Sequence, residues 1–292
     1  MSINYRITHT TRYRYSKPVS QCQNEARMRP RATPRQNCIA HRLYVSPEPA
    51  SRHEREDVYG NHLTYFAVQK AHQVLEVTAV SEVRLDSFKR PDPEQSPAWE
   101  QVVSGLRHDV DNRLLEPREF TLASPLVTPR EAHADYAREC FAPGRSLPEA
   151  AMALMEKIHT HFEYDPHSTS VATPLDEVFN HRRGVCQDFA HVMLACLRAL
   201  GLPARYVSGY LETDSGPDGT RLRGADASHA WVAVFCPGYG WLDLDPTNNT
   251  APDNRHITLT WGRDYGDVAP LNGVIRGGGP AILEVEVDVI RT

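Results

Sequence analysis

The stretch 183-RGVCQDFAHVMLACLRALGLPARYVSGY-210 decides the fold, because its hydrophobic period changes within one short segment. Phe189, Val192, Met193, Cys196, Leu197 and Leu200 recur at the spacing of one helix face. Gly201-Leu-Pro then stops the helix, since glycine accepts the left-handed conformation that ends a helix and proline cannot continue one. From Ala204 the period falls to two through ARYVSGYL (204–211), and it stays at two in SHAWVAVF (228–235) and GWLDLD (240–245). The sequence thus predicts a helix that begins at or just after Cys186 and packs on strands that follow it.

The start of that helix is a chemical environment as well as a boundary. Gly184 permits a tight turn, and the first N–H groups of the helix, with the positive end of its dipole, favour a thiolate at Cys186. Taken locally, Cys186 reads equally as a nucleophile or as one more buried thiol. Cys196, on the apolar stripe, reads as core. A nucleophilic thiol needs an imidazole partner. His191 lies five positions along the helix, about 140° around its axis, and points away. His229 opens a strand with Trp231, Ala233 and Phe235 on its own face. If CPGYG (236–240) turns a hairpin about Gly238, Trp231 lies opposite Asp245 and His229 opposite Thr247. Asp245 is then diagonal to His229 on the same face, where a carboxylate can orient the ring and stabilise its protonated form. Asp243 shares the face at greater distance.

Working outward, residues 3–15 alternate, with Ile3, Tyr5, Ile7, Tyr13 and Tyr15 on one face. IAHRLYV (39–45), HLTYFAV (62–68) and VLEVTAVSEVRL (74–85) continue the strand pattern between proline-rich or Tyr-Gly-Asn turns. An antiparallel β-domain is expected over 1–87. RPDPEQSPAWEQ (90–101) reads as a linker into a helical connector over 88–147, with a helix near 130–141. A helix over 148–161, opening on Pro148, begins the catalytic core expected over 148–280. Leu283, Val285, Val287 and Val289 alternate with acids, so 281–292 is expected to be a strand that returns to the N-terminal domain.

A net charge of -5 gives no electrostatic footprint for nucleic acid or an anionic membrane, despite a small basic cluster at 23–35. No apolar run reaches the length of a membrane span, and the N-terminus lacks a signal-peptide pattern, so a cytoplasmic location is expected. Six cysteines without a CxxC pair suggest reduced thiols, with neither a disulfide framework nor a structural zinc site.

The strings GVCQDFA, LRALGLPARYVSGY, SHAWV and GWLDLDPTN together resemble the core of the transglutaminase-like superfamily. The resemblance is nearly continuous from Phe162 to Asn249. FEYDP (162–166) and HITLTWGRDYGDVAPLNGV (256–274), behind an N-terminal β-domain, are similar to its bacterial branch, described as cysteine proteases. The resemblance implies an α+β fold: an N-terminal antiparallel β-domain plus a papain-like core whose cysteine helix packs on an antiparallel sheet. It implies a triad of Cys186, His229 and Asp245 acting on a peptide or protein substrate, and no cofactor. The calcium-binding accessory regions of animal transglutaminases have no counterpart, so no calcium requirement follows.

Hydrolysis is the expectation for the bacterial branch, with amine transfer and a catalytically silent binding module as alternatives. A metal site built from Cys186, His229 and Asp245 has suitable ligand types but lacks the short paired spacing of structural zinc sites. Tyr164 and Gln187 are the candidates for a second oxyanion donor or for the cleft lining, while Asp188 reads as structural. The segment GRDYGDV (262–268) reads either as a loop that closes over the cleft or as a salt-bridged connection. The oligomeric state is left open.

Overall fold

The computed structural model describes residues 2–87, 96–109, 111–212 and 228–292; the first half of the expected linker, 90–95, lies outside them. β1 (Ile3–Ala26) is the axis of a seven-stranded antiparallel sheet. It is joined by β2 (Gln36–Ser46), β3 (Ser51–Glu56), β4 (His62–Val68) and β5 (His72–Leu85) in the order β2-β5-β1-β4-β3. The first half of β1 pairs with β5 and the second half with β4. Its register against β5 breaks between Arg14 and Val19, around Pro18, which has no N–H to give to a ladder. The buried face expected from Tyr5 and Ile7 continues through His9 and Thr11. His9 Nδ1 meets the Tyr210 hydroxyl at 3.0 Å, and His9 Nε2 meets Thr11 Oγ1 at 3.2 Å, so these buried polar groups are paired.

The helical part comprises α1 (Trp99–His108), α2 (Leu115–Glu119), α3 (Glu131–Arg138), α4 (Leu147–His161), α5 (Leu175–His181) and α6 (Cys186–Ala199). Two short strands, β6 (Glu163–Tyr164) and β7 (Arg183–Gly184), pair in parallel just before α6. α6 ends as expected, with Gly201 at φ +80° and the Leu202 N–H bonded to the Leu197 carbonyl. It is buried almost all round, Ala190, Leu194 and Ala195 included, because helices and a sheet enclose it.

That sheet has the order β10-β9-β8-β11, from β8 (Ala204–Leu211), β9 (Ser228–Cys236), β10 (Gly240–Leu244) and β11 (His256–Gly262). Neighbouring strands run antiparallel. β9 and β10 pair Trp241 with Phe235 and Leu244 with Val232, the register of a turn centred on Gly238. After β11 a short helix, α7 (Tyr265–Val268), leads to β12 (Leu271–Gly277) and β13 (Ala281–Arg291). Both strands pair with β1 of the N-terminal sheet, so the elements of the core sheet end before residue 280. The two units also share an apolar cluster, in which Tyr5, Ile7, Val287 and Val289 meet Tyr210, Ile257 and Leu259. Among the described residues no helix is long and apolar enough to cross a membrane.

Candidate active site

Cys186 is the first residue of α6 and is half-buried. The turn that delivers it depends on Asp188, whose Oδ2 accepts the Val185 N–H at 2.9 Å and the Thr169 hydroxyl at 2.6 Å. This satisfies a helix-end donor that has no intrahelical partner. Burial raises the Asp188 pKa, and these two hydrogen bonds oppose the rise. Asp188 folds back so closely that a Cβ on Gly184 would lie 2.6 Å from its Cβ and Oδ2, which explains the glycine. Asp188 thus has the structural role expected of it.

The imidazole and carboxylate are buried partners. His229 Nε2 lies 2.8 Å from Asp245 Oδ2. Burial alone would lower the His229 pKa. Hydrogen bonds to Asp245 and to Cys186, with the charges of both, raise it instead to about 10. Asp245 shows the complement: burial would raise its pKa, but His229, His256 and Asn248 hold it below the usual carboxylate range. The structure therefore brings Cys186, His229 and Asp245 together. Burial pushes Cys196 in the opposite sense to a reactive thiol, well above its ordinary value.

The carboxylate of Asp245 is held by more than His229. Oδ2 also meets His256 Nε2 at 3.2 Å and accepts from Asn248 Nδ2 at 2.7 Å, while Oδ1 takes the backbone N–H groups of Thr247 and Asn248 at 2.9 and 3.2 Å. His256 Nδ1 in turn faces Asp253 Oδ1 at 3.3 Å. Sequence reasoning missed His256 and Asn248. His256 heads a strand whose register against β8 no local pattern discloses, and Asn248 sits in a turn closed by an Asp245–Thr250 bridge. His229, Asp245 and His256 also offer three ligand atoms within 4.8 Å, a different set from the cysteine-containing one weighed from sequence. A divalent ion there would have to displace the hydrogen bonds that both imidazoles already make to Asp245 Oδ2.

Tyr164 pairs with Gly184 across β6 and β7 and is 53% exposed. Burial and the Cys186 charge nearby both raise its pKa, and its ring lies edge-on to Phe189 at 6.4 Å. Gln187 instead leans outward, its Nε2 3.5 Å from the Val171 carbonyl. His191 is engaged elsewhere: its Nε2 accepts the Tyr265 N–H at 3.2 Å, and burial lowers its pKa to about 4. The 262–268 segment is a packed connection. Asp264 is buried and accepts from the Leu126 and Gly266 N–H groups at 2.9 and 2.8 Å, and Arg263 pairs with Asp267 at 2.9 Å.

Residues 5–84 match the bacterial transglutaminase-like N-terminal region, and residues 134–246 match the transglutaminase-like superfamily. An uncharacterized protein of Mycobacterium tuberculosis is 40% identical over 294 residues, covering 98% of this chain and 92% of that protein. The chain belongs to the transglutaminase-like superfamily. This is a superfamily of papain-like thiol enzymes. A solved structure from Cytophaga hutchinsonii, described as a "putative cysteine protease", covers 100% of this chain and 91% of its own with a TM-score of 0.80. At 22% identity that likeness shows a shared transglutaminase-like fold. A protein-glutamine gamma-glutamyltransferase of Pseudomonas aeruginosa is 37% identical over 143 residues, 47% of this chain and 19% of that protein.

Proposed function

We propose that this protein is a thiol-dependent acyl-transfer enzyme that cleaves peptide or carboxamide bonds through Cys186, His229 and Asp245. The observation that carries the reading is the buried His229–Asp245 pair at 2.8 Å, with a Cys186 hydrogen bond among the causes that raise the imidazole to about 10. Asp245 occupies Nε2, which leaves Nδ1 for the thiol. The Cys186 thiolate attacks the carbonyl carbon, and the π electrons move to oxygen. The Cys186 N–H and the Tyr164 hydroxyl are the proposed donors to that oxyanion. His229 then gives its proton to the leaving amine, and a thioester remains on Cys186. His256 and Asn248 act as positioning residues, because they fix the carboxylate that fixes the imidazole.

Water resolves the thioester in a hydrolase and a primary amine resolves it in a transferase. We take hydrolysis as the main reading. The named activity of the Pseudomonas relative over 143 residues favours amine transfer as the second. A glutamine-containing peptide library, incubated with and without a primary amine and read by mass spectrometry, separates them. Peptide cleavage or ammonia release without amine incorporation supports hydrolysis, whereas incorporation of the amine supports transfer. Equal turnover by a Cys186→Ala variant would overturn both.

A further inference from the structure

On the face of the core sheet turned away from α6 lies a cavity of about 430 Å³. Arg205 lines it from β8, in alternation with Ala204 and Tyr206, which belong to the cluster around α6. Trp241 and Asp243 line it from β10 and Trp261 from β11, and Arg35 of the N-terminal unit closes it. The volume lies in the range of small-molecule pockets, and the remaining lining is chiefly apolar.

Arg205 is only 6% exposed, yet its donors are poorly matched. Its guanidinium carbon sits 3.6 Å from the ring centre of Trp261 and 4.2 Å from that of Trp241, so the π faces are occupied. Arg31 lies over the same Trp261 ring at 3.4 Å, which fixes the stack. The edge is another matter. The ion pair with Glu116 is 3.6 Å long and reaches an exposed side chain, and the buried Nε has no hydrogen-bond partner. Burial lowers the Arg205 pKa to about 9 although Asp243 and Glu116 oppose it, so the cation is incompletely compensated. Nε is enclosed, so an incoming acceptor would meet the Nη groups, whose ion pair with Glu116 is long.

We propose that this cavity binds a small organic carboxylate with an apolar or aromatic body, its carboxylate on the Nη groups of Arg205 and its body against Trp241 and the edge of Trp261. A carboxylate suits the site because the guanidinium edge presents parallel N–H donors to two oxygens. The stacked tryptophans hold that edge in place, so little side-chain entropy is lost on binding. Arg205 pairs with Ala233, four residues from His229, and Trp241 lies four residues before Asp245, so the occupant's anchors lie about two strand repeats, roughly 13 Å, from the His–Asp pair. The proposal does not rest on the acyl-transfer reading.

Tryptophan fluorescence of the full chain, titrated with 4-phenylbutyrate and with its neutral amide, tests it. The acid should quench saturably and the amide should bind at least about tenfold more weakly. Ala251→Phe, which adds bulk to the cavity wall, should abolish quenching by the acid while leaving the Cys186 alkylation rate unchanged. Arg205→Lys should weaken the acid by about tenfold, because a point charge replaces a planar edge. Equal binding of acid and amide, acid binding unaffected by Ala251→Phe, or no saturation up to about 10 mM would overturn the proposal.

Discussion

Replacing Asp245 by asparagine removes one charge and no heavy atom. In the native protein Oδ1 accepts two backbone N–H groups, and Oδ2 faces His229, His256 and Asn248. Backbone N–H groups can only donate, so the new carbonyl takes the Oδ1 place and the new amide faces Nε2 of His229. That nitrogen must then accept, which moves the ring proton to Nδ1 and leaves nothing there to hold the thiol proton. The rise of His229 from 6.5 to about 10 corresponds to about 5 kcal/mol, at about 1.4 kcal/mol per pH unit. That rise is net of burial, which opposes it; losing a hydrogen bond to a charged group costs about 1.5–3 kcal/mol, or roughly 10- to 100-fold in a rate that needs the imidazolium. The assay is iodoacetamide alkylation of Cys186 at pH 6, followed by peptide mapping, with thermal unfolding to confirm the fold. Alkylation of a folded Asp245→Asn variant at the wild-type rate would refute the reasoning.

Three further outcomes follow from the same geometry. The raised His229 pKa stabilises the fold fully below 6.5 and ever less as pH rises toward 10, whereas the lowered Asp245 pKa contributes above about 4 and is lost on further acidification. The unfolding midpoints of wild type and His229→Gln should therefore differ most between pH 4 and 6.5 and converge toward pH 10. Gly184→Ala drives a Cβ to within 2.6 Å of Asp188, so it should cost about 1–3 kcal/mol in thermal denaturation and slow Cys186 alkylation. Deleting 281–292 exposes the edge of β1 and removes the buried Val287 and Val289, each worth about 1.5–3 kcal/mol. Loss of soluble protein or a large fall in the unfolding midpoint is expected.

The parts of this fold that are periodic are readable without coordinates. α6 announces itself by its apolar spacing and glycine stop, and the β9–β10 register follows from one turn residue. β3, with the sequence SRHERE, shows no apolar alternation because it is an exposed strand at the end of the sheet order, where charge guards the edge. β12 is short and exposed, and only its pairing with β1 makes it a strand. The His229–Asp245 pair was legible because a single hairpin sufficed to place it, and Cys186 was singled out by a helix start and a family resemblance. His256 was not, since its approach to Asp245 depends on the turn at 245–250 and on β11 crossing to the far edge of β8. The Arg205 cavity was equally hidden, because its walls come from three strands and a segment near residue 35.

The central claim is that Cys186 carries the acyl group, and a p-nitrophenyl acetate burst measured together with the mass of the Cys186 peptide tests it most directly. A burst of about one nitrophenolate per protein is expected, with acetyl on Cys186 and none on the buried Cys196, and with loss of the burst in Cys186→Ala. A burst of unchanged size in Cys186→Ala, or acetyl found on another residue while Cys186 stays free, would contradict it.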